Sequence, residues 1–581
     1  MLFRHLKDIM LKYKFRYIFG IIFIIICDGL QLFTPEVLGN LTNDISAGTL
    51  ARESIYRYIF LIMILAIGVA VFRFLWRKFV VAASRRIEYD LRKKLFGHLE
   101  TLSMSYFHEH TAGSLMAHAT NDITAVRNSF GMGTVMIVDS SFLTLFTIYR
   151  MLTNTDLKLT LLALIPMPFI ALSAFVLGGV IQKRFQSVQE AFENITTKAQ
   201  EAFSGIRVIK AFAREDNENK SFESVNDENF KENMKLARIH GILFPLIMFI
   251  STLSLIVAIS VGGVMVIENK LALGSYVEFL LYLGILTWPI IAIGWVVNVL
   301  QRGVASLKRI NIILDAQPDI KDEEGAEYLK NLEATIEFKN LDFVYPNTDI
   351  PVLEDVSFKV EAGKTLAIVG KTGSGKTTIA NLMMRLYDSP EDNILLGGVP
   401  LKKLQLRQIR DMIGYVPQDN FLFSTKIRDN IAFSNPELEE DKIIEASKIA
   451  HVHQEILGFP DAYDTLLGEK GINLSGGQKQ RISIARAIAE DPKLLILDDS
   501  LSAVDTKTED SILRYLQTEI ADKTCIIIAH RISTIKDADE IIVLHDNRIA
   551  ERGTHDELVA LDGFYNETYQ KQLLEDKVNR D

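Results

Sequence analysis

Long apolar runs with few charges fill the first 300 residues of the chain, and from residue 315 onward the pattern becomes short apolar stretches alternating with helical, polar-surfaced ones. A bilayer core about 30 Å thick is crossed by roughly 20 mostly apolar helical residues. Six stretches meet that requirement: Tyr17 to Leu38, Tyr58 to Val80, Gly131 to Leu152, Leu157 to Ile181, Ile242 to Ile267 and Tyr276 to Val299. The first follows a basic leader of Arg4, Lys7, Lys12, Lys14 and Arg16, without the small-residue cleavage site of a signal peptide and with more spans behind it. Basic flanks mark the cytoplasmic side, and Arg77, Lys78, Arg85, Arg86, Arg92, Lys93 and Lys94 mark it again after the second span. The N-terminus is therefore expected in the cytoplasm. Polar gaps of about fifty and sixty residues separate spans two and three and spans four and five, so helices should continue well into the cytoplasm. The pattern predicts an all-α six-helix membrane domain with long cytoplasmic extensions over residues 1–314, a charged linker over 315–333 and an α/β domain over 334–581.

Composition narrows the partners. The formal net charge of −10, with no basic stripe interleaved with aromatics, argues against nucleic acid and leaves the lipid bilayer as the evident surroundings. Two cysteines, Cys27 and Cys525, suggest neither a disulfide framework nor a thiolate metal site, and read as inert buried thiols. Together with the lack of an organelle-like presequence they fit a bacterial plasma membrane. Within the spans, Asp28, Gln31 and Asp139 are costly in hydrocarbon and should face protein or a water-filled cavity. They are candidates for a substrate pathway; pairing with a neighbouring helix, or a place nearer the interface, is the alternative. Pro35, Pro166 and Pro168 read as kinks, and Trp288 and Trp295 as belt or packing groups.

The soluble half carries a phosphate-binding loop. Gly370, Lys371, Thr372, Gly373, Ser374, Gly375, Lys376 and Thr377 follow the apolar strand Thr365 to Val369 and precede a helical pattern from Thr378, the context a P-loop requires. Its glycines let backbone N–H groups approach phosphates, Lys376 can reach the β- and γ-phosphates of ATP, and the Thr377 hydroxyl can coordinate Mg2+. Asp498 ends the apolar strand Leu494 to Leu497, where a carboxylate can hold Mg2+ and its water. Leu474, Ser475, Gly476, Gly477 and Gln478 suit the start of a helix whose free N–H groups and positive dipole end can meet a phosphate.

P-loop, LSGGQ and Leu494 to Asp498, in that order, resemble the ABC transporters, and the resemblance covers nearly the whole chain. It implies an exporter half-transporter of the multidrug type, in which each ATP lies between the P-loop of one cassette and the LSGGQ of another. Ser475, Gly476, Gly477 and Gln478 would then act on the partner's ATP. Tyr345 matches the aromatic that stacks on adenine, Gln418 the loop glutamine that senses Mg2+ or water, and His530 the switch histidine that meets the γ-phosphate. Ser502 to Asp505 resembles the loop that crosses to the partner cassette, and Thr465 to Gly471 an exporter-specific loop. Phe107 to Asp122 and Glu201 to Glu215 match the stretches that carry short transverse coupling helices, with His118 where an arginine is typical.

One position departs from the family pattern. Efficient exporters carry Glu after the Mg2+-binding aspartate as general base, and this chain has Asp499, shorter by about 1.5 Å. A misplacement near 1 Å can lower a rate on the order of a hundredfold, so Asp499 should be a weak base. An inserted water or a backbone adjustment in a symmetric homodimer would let it work slowly. The pattern resembles the degenerate-site half of heterodimeric bacterial exporters, which implies a different partner chain with the catalytic Glu and an altered signature. Export of small amphiphilic compounds is the expected task. The alternatives are a lipid or peptide exporter and, from another class, a nucleotide-gated channel or regulatory sensor.

Overall fold

The computed structural model of the protein describes residues 3–468, 471–500 and 523–578. The chain divides into two compact units, Met1–Glu100 with Ala112–Ala316, and Thr101–Thr111 with Gln317–Asp581.

The first unit holds six helices long and apolar enough to cross a membrane: Lys14–Ser46, Arg52–Leu99, Ala112–Asn154, Leu157–Ser204, Glu215–Ile267 and Leu273–Asp315. Each contains one of the six apolar stretches, and the polar sequence beyond the stretches is helical too. At 1.5 Å per residue, the 48-residue second and fourth helices reach about 70 Å, more than twice the hydrocarbon thickness. The second helix leaves Phe60, Ile64, Ile67 and Phe74 exposed, as suits a surface solvated by lipid. The buried side brings Leu143, Met151, Leu159, Ile170, Ile247, Phe279 and Leu286 into one apolar cluster. Tyr282, fully buried, donates its hydroxyl to the Leu32 carbonyl at 3.1 Å and so joins the sixth helix to the first. Those helices approach at Gly39 and Gly274: a Cβ on Gly274 would stand 2.0 Å from the Gly39 carbonyl oxygen, so a side chain there would push the pair apart.

Two short helices interrupt the long ones, α1 (Met104–Glu109) and α2 (Ile206–Ala211). The second lies inside the expected stretch Glu201 to Glu215. Of the other expected stretch, Phe107 to Asp122, the residues Phe107 to Glu109 fall in α1 and Ala112 to Asp122 belong to the third long helix. Gly113 sits in the first turn of that long helix, where a glycine disturbs the hydrogen-bond ladder little.

The second unit gathers two sheets among its described residues. Strands β1 (Ile336–Val344), β2 (Pro351–Val360), β4 (Ile394–Leu396) and β5 (Val399–Pro400) form an antiparallel sheet in the order β2-β1-β4-β5. Strands β3 (Thr365–Gly370), β6 (Ile413–Val416), β7 (Leu494–Asp498), β8 (Thr524–Ile528), β9 (Glu540–His545) and β10 (Arg548–Gly553) form the other, ordered β10-β9-β3-β8-β7-β6. All its pairings are parallel except β10 with β9. A parallel sheet covered on both faces needs continuous apolar strands, and all five residues of β7 are buried. The register sets Asp498 opposite Ile528. The ends of β3, β7 and β8 thus open on the same edge of the sheet, where ligands of such folds bind.

Thr101–Thr111 clusters with this unit, not with the membrane domain expected over 1–314. The reason is local bonding: Tyr387 and His108 Nδ1 share a 3.0 Å hydrogen bond, Glu109 accepts from the Asn347 amide, and the Asp319 N–H donates to Ser103 Oγ at 2.8 Å.

Candidate nucleotide-binding site

Strand β3 runs into the Gly370–Gly375 loop and then into helix α3 (Lys376–Met383). Gly373 and Gly375 hold left-handed backbone, φ +85° and +95°, which turns the loop and aims successive N–H groups inward. Lys376 is buried, and its Nζ donates to the carbonyls of Gly370 at 2.8 Å and Lys371 at 2.9 Å. Burial lowers its pKa, opposed by the charges of Asp498 and Asp499.

Asp498 is 1% exposed at the end of β7, and its Oδ2 has no hydrogen-bond partner. Burial raises its pKa, a hydrogen bond from Thr377 lowers it, Asp499 raises it further, and Lys376 and His530 lower it. An orphaned, buried carboxylate oxygen beside a threonine hydroxyl fits a hard cation with oxygen ligands. Among the described residues no three or more His, Cys, Asp or Glu form a metal cluster, so a divalent ion here would complete its shell with phosphate and water oxygens. Asp498 and Thr377 would hold Mg2+, which when bound would neutralise phosphate charge.

A cavity of about 330 Å³ brings together Tyr345, Thr372, Gly373, Gly375, Lys376, Thr377, Thr378, Gln418, Asp498, Asp499 and His530. Gly370, Lys371 and Ser374 belong to the same loop without lining that cavity. Tyr345 shares a 2.9 Å hydrogen bond with Thr378 Oγ1 and stands edge-on to Tyr387. Asp499 has φ +46°, in the left-handed region, with its N–H donated to the Ile528 carbonyl at 2.8 Å. The backbone that positions this carboxylate is therefore fixed.

Ser475, Gly476, Gly477 and Gln478 lie outside this cavity, at the head of α4 (Gly476–Ile488). Ser475 is the N-cap: its Oγ accepts from the Gln478 N–H at 3.2 Å, and Gln478 Oε1 accepts from the Ser475 N–H at 2.9 Å. Gln478 Nε2 also donates to Glu455 at 2.9 Å, and Arg481 pairs with the same carboxylate at 2.7 Å.

Sequence reasoning missed several residues. Glu455 anchors the signature from outside the motif. Gln480 is 1% exposed and donates at 3.4 Å to the Asp499 carbonyl, tying α4 to the turn after β7. Tyr415, quoted only as a neighbour of Gln418, approaches Asp498, and burial followed by that charge raises its pKa. The loop Ser502 to Asp505 lies outside the described residues, as do Glu469 and Lys470 of the stretch Thr465 to Gly471.

In the membrane unit, Asp28 is 3% exposed, with Oδ2 unpartnered, and Asp139 is half-buried. Gln31 instead lines a cavity of about 510 Å³ with Thr34, Val69, Arg73, Phe74 and Arg77, and accepts from Arg73 at 3.4 Å. Arg73 had a signal, the first cation met along the second apolar stretch, one helical turn before Arg77 and Lys78.

Both halves have known relatives. Residues 17–290 match the family described as ABC transporter transmembrane region, and residues 353–502 the one described as ABC transporter. The chain is 38% identical over 562 residues, 97% of its length and 96% of the relative's, to a probable multidrug resistance ABC transporter ATP-binding/permease protein, YheI, of Bacillus subtilis. It is 37% identical over 560 residues, covering 96% and 95%, to the multidrug resistance-like ATP-binding protein MdlA of Escherichia coli. With an ATP-dependent lipid A-core flippase of Syntrophus aciditrophicus it shares 34% over 523 residues, covering 90% and 86%. A bacterial Atm1-family ABC exporter solved with ATP bound has the same fold, with a TM-score of 0.81 at 25% identity over 96% and 98% of the two chains. Six spanning helices fused to a P-loop cassette define an exporter-type architecture, and the chain belongs to the ABC transporter family. It is a multi-pass plasma-membrane protein with a cytoplasmic nucleotide-binding domain that binds ATP and couples its hydrolysis to transport.

Proposed function

We propose that this chain is one half of an ATP-driven exporter of amphiphilic, drug-like compounds and works with a different half-transporter. The observation that carries the reading is Asp499 in the general-base position beside a complete, capped LSGGQ. In a composite site the P-loop, Asp498 and Asp499 of one chain meet the signature of the other, so a weak base and a sound signature affect different sites. Lys376 and the loop N–H groups bind the phosphates, Asp498 and Thr377 hold Mg2+, His530 meets the γ-phosphate, and Ser475 and its helix end serve the partner's ATP. Binding that favours closed cassettes would shift the membrane cavity outward, and release would reset it. Purified alone, the full chain should hydrolyse ATP slowly, and a partner bearing Glu and an altered signature should restore turnover. Vigorous drug-stimulated ATPase activity from the homodimer would sink the asymmetric reading.

Substrate contact is assigned to Asp28, Gln31 and Asp139, supported by the buried, unpartnered Asp28 oxygen and by the cavity beside Gln31. Asp28→Asn and Asp139→Asn should each slow efflux of cationic dyes, by about tenfold if one partly desolvated ion contact worth roughly 1.4 kcal/mol is lost. Unchanged efflux in both variants removes the charge assignment. A lipid exporter is the second reading, favoured by the flippase among the relatives, and dye-independent, lipid-stimulated turnover would support it.

A further inference from the structure

We infer that Gln572, on the C-terminal helix, is a positioning residue for His530. Helix α5 (Phe564–Val578) is anchored at its start by Glu551, which accepts the N–H of Phe564 and, at 3.0 Å, that of Tyr565. Tyr565, 1% exposed, adds a 2.7 Å hydrogen bond to His555. Gln572 follows Tyr565 by two helical turns and so stands on the same face. Its Oε1 accepts from the Ile532 N–H at 2.8 Å, and its Nε2 donates to the His530 carbonyl at 2.7 Å. One side-chain amide thereby pairs with both ends of the three-residue turn that carries His530, as a neighbouring strand would.

The turn needs such a hold. His530 borders both the 330 Å³ nucleotide cavity and a second cavity of about 560 Å³, which the P-loop and α5 enclose with Lys371, Val543, Phe564 and Lys571. His530 thus borders open space on two sides, and the path of its backbone sets the point from which its imidazole projects. Gln572 fixes that path from an element whose other end is locked by Glu551, so the last helix of the cassette sets the switch histidine. The catalytic consequence rests on the proposed role of His530; the positioning itself does not.

The full-length chain tests both. In Gln572→Ala, carbethoxylation of His530 by diethylpyrocarbonate, followed by mass spectrometry without nucleotide, should change in rate by about threefold or more, as expected when an ordering hydrogen bond is lost. His451, on an exposed surface, should react unchanged and serves as the internal control. Turnover followed by release of labelled phosphate should lose about tenfold in kcat with KM held within about twofold, because misorientation affects the reacting geometry more than binding. Gln572→Glu, which keeps the acceptor for Ile532 and lacks the donor to His530, should fall between. In a His530→Ala background Gln572→Ala should have no further effect. Unaltered His530 reactivity, or losses that add in the double variant, would overturn the inference. If His530→Ala alone leaves turnover intact, the proposed role of His530 fails, and the reactivity arm still decides whether Gln572 positions it.

Discussion

Lys376→Ala should weaken ATP binding at this chain's own P-loop by at least about a hundredfold, measured by titrating a fluorescent ATP analogue against the full-length protein. Lys376 is the cation held inside the loop, 6% exposed, with its Nζ already against the loop carbonyls. A hydrogen bond to a charged group contributes roughly 1.5–3 kcal/mol, and Nζ can offer two to the phosphates, so about 3 kcal/mol and a hundredfold is the modest end. Folding should change less. The ammonium is desolvated, as its lowered pKa reflects, and removing it relieves that penalty while freeing two carbonyls that the loop can solvate. Lys376→Arg should not rescue, since a planar guanidinium does not fit the space of a compact ammonium. Affinity unchanged in Lys376→Ala, with the cassette folded, would mean that the nucleotide binds elsewhere.

How far the sequence foretold the molecule depended on the range of the forces involved. Spans show in the sequence because each must satisfy its backbone and present apolar side chains over a fixed length, whatever its neighbours. The P-loop shows because left-handed backbone at Gly373 and Gly375 demands glycine locally. The helix start at Ser475 shows for the same reason, as its cap and Gln478 are three residues apart. What stayed hidden is tertiary. Gln480, Glu455 and Gln572 act through partners 19, 23 and up to 42 residues away, and a buried or half-buried polar side chain carries no mark of its partner in sequence. The extent of the first short helix is a boundary problem, since α1 ends at Glu109 and the next long helix begins at Ala112 inside the stretch Phe107 to Asp122.

Asp499→Glu should raise ATP turnover of the purified chain by roughly ten- to a hundredfold, the range expected when a base about 1.5 Å short regains its reach. Two effects oppose each other here. The left-handed backbone at 499, φ +46°, suits a short polar side chain better than a longer one, and glutamate there should lower stability by up to about 1 kcal/mol. A hundredfold in rate is worth about 2.7 kcal/mol of barrier, so the kinetic gain outweighs the folding loss. The turn is also held independently of the side chain, by the N–H bond to Ile528 and the Gln480 contact to the Asp499 carbonyl, which should keep the substituted carboxylate pointed along the same path. Turnover and melting temperature should therefore move in opposite directions, the first strongly and the second by a few degrees. Asp499→Asn should gain nothing, because an amide cannot take a proton from the attacking water. If Asp499→Glu hydrolyses ATP no faster than the natural chain, side-chain length is not what limits this site. The asymmetric pairing would then have to rest on the membrane halves, because the signature and P-loop of this chain would be sufficient for a symmetric enzyme.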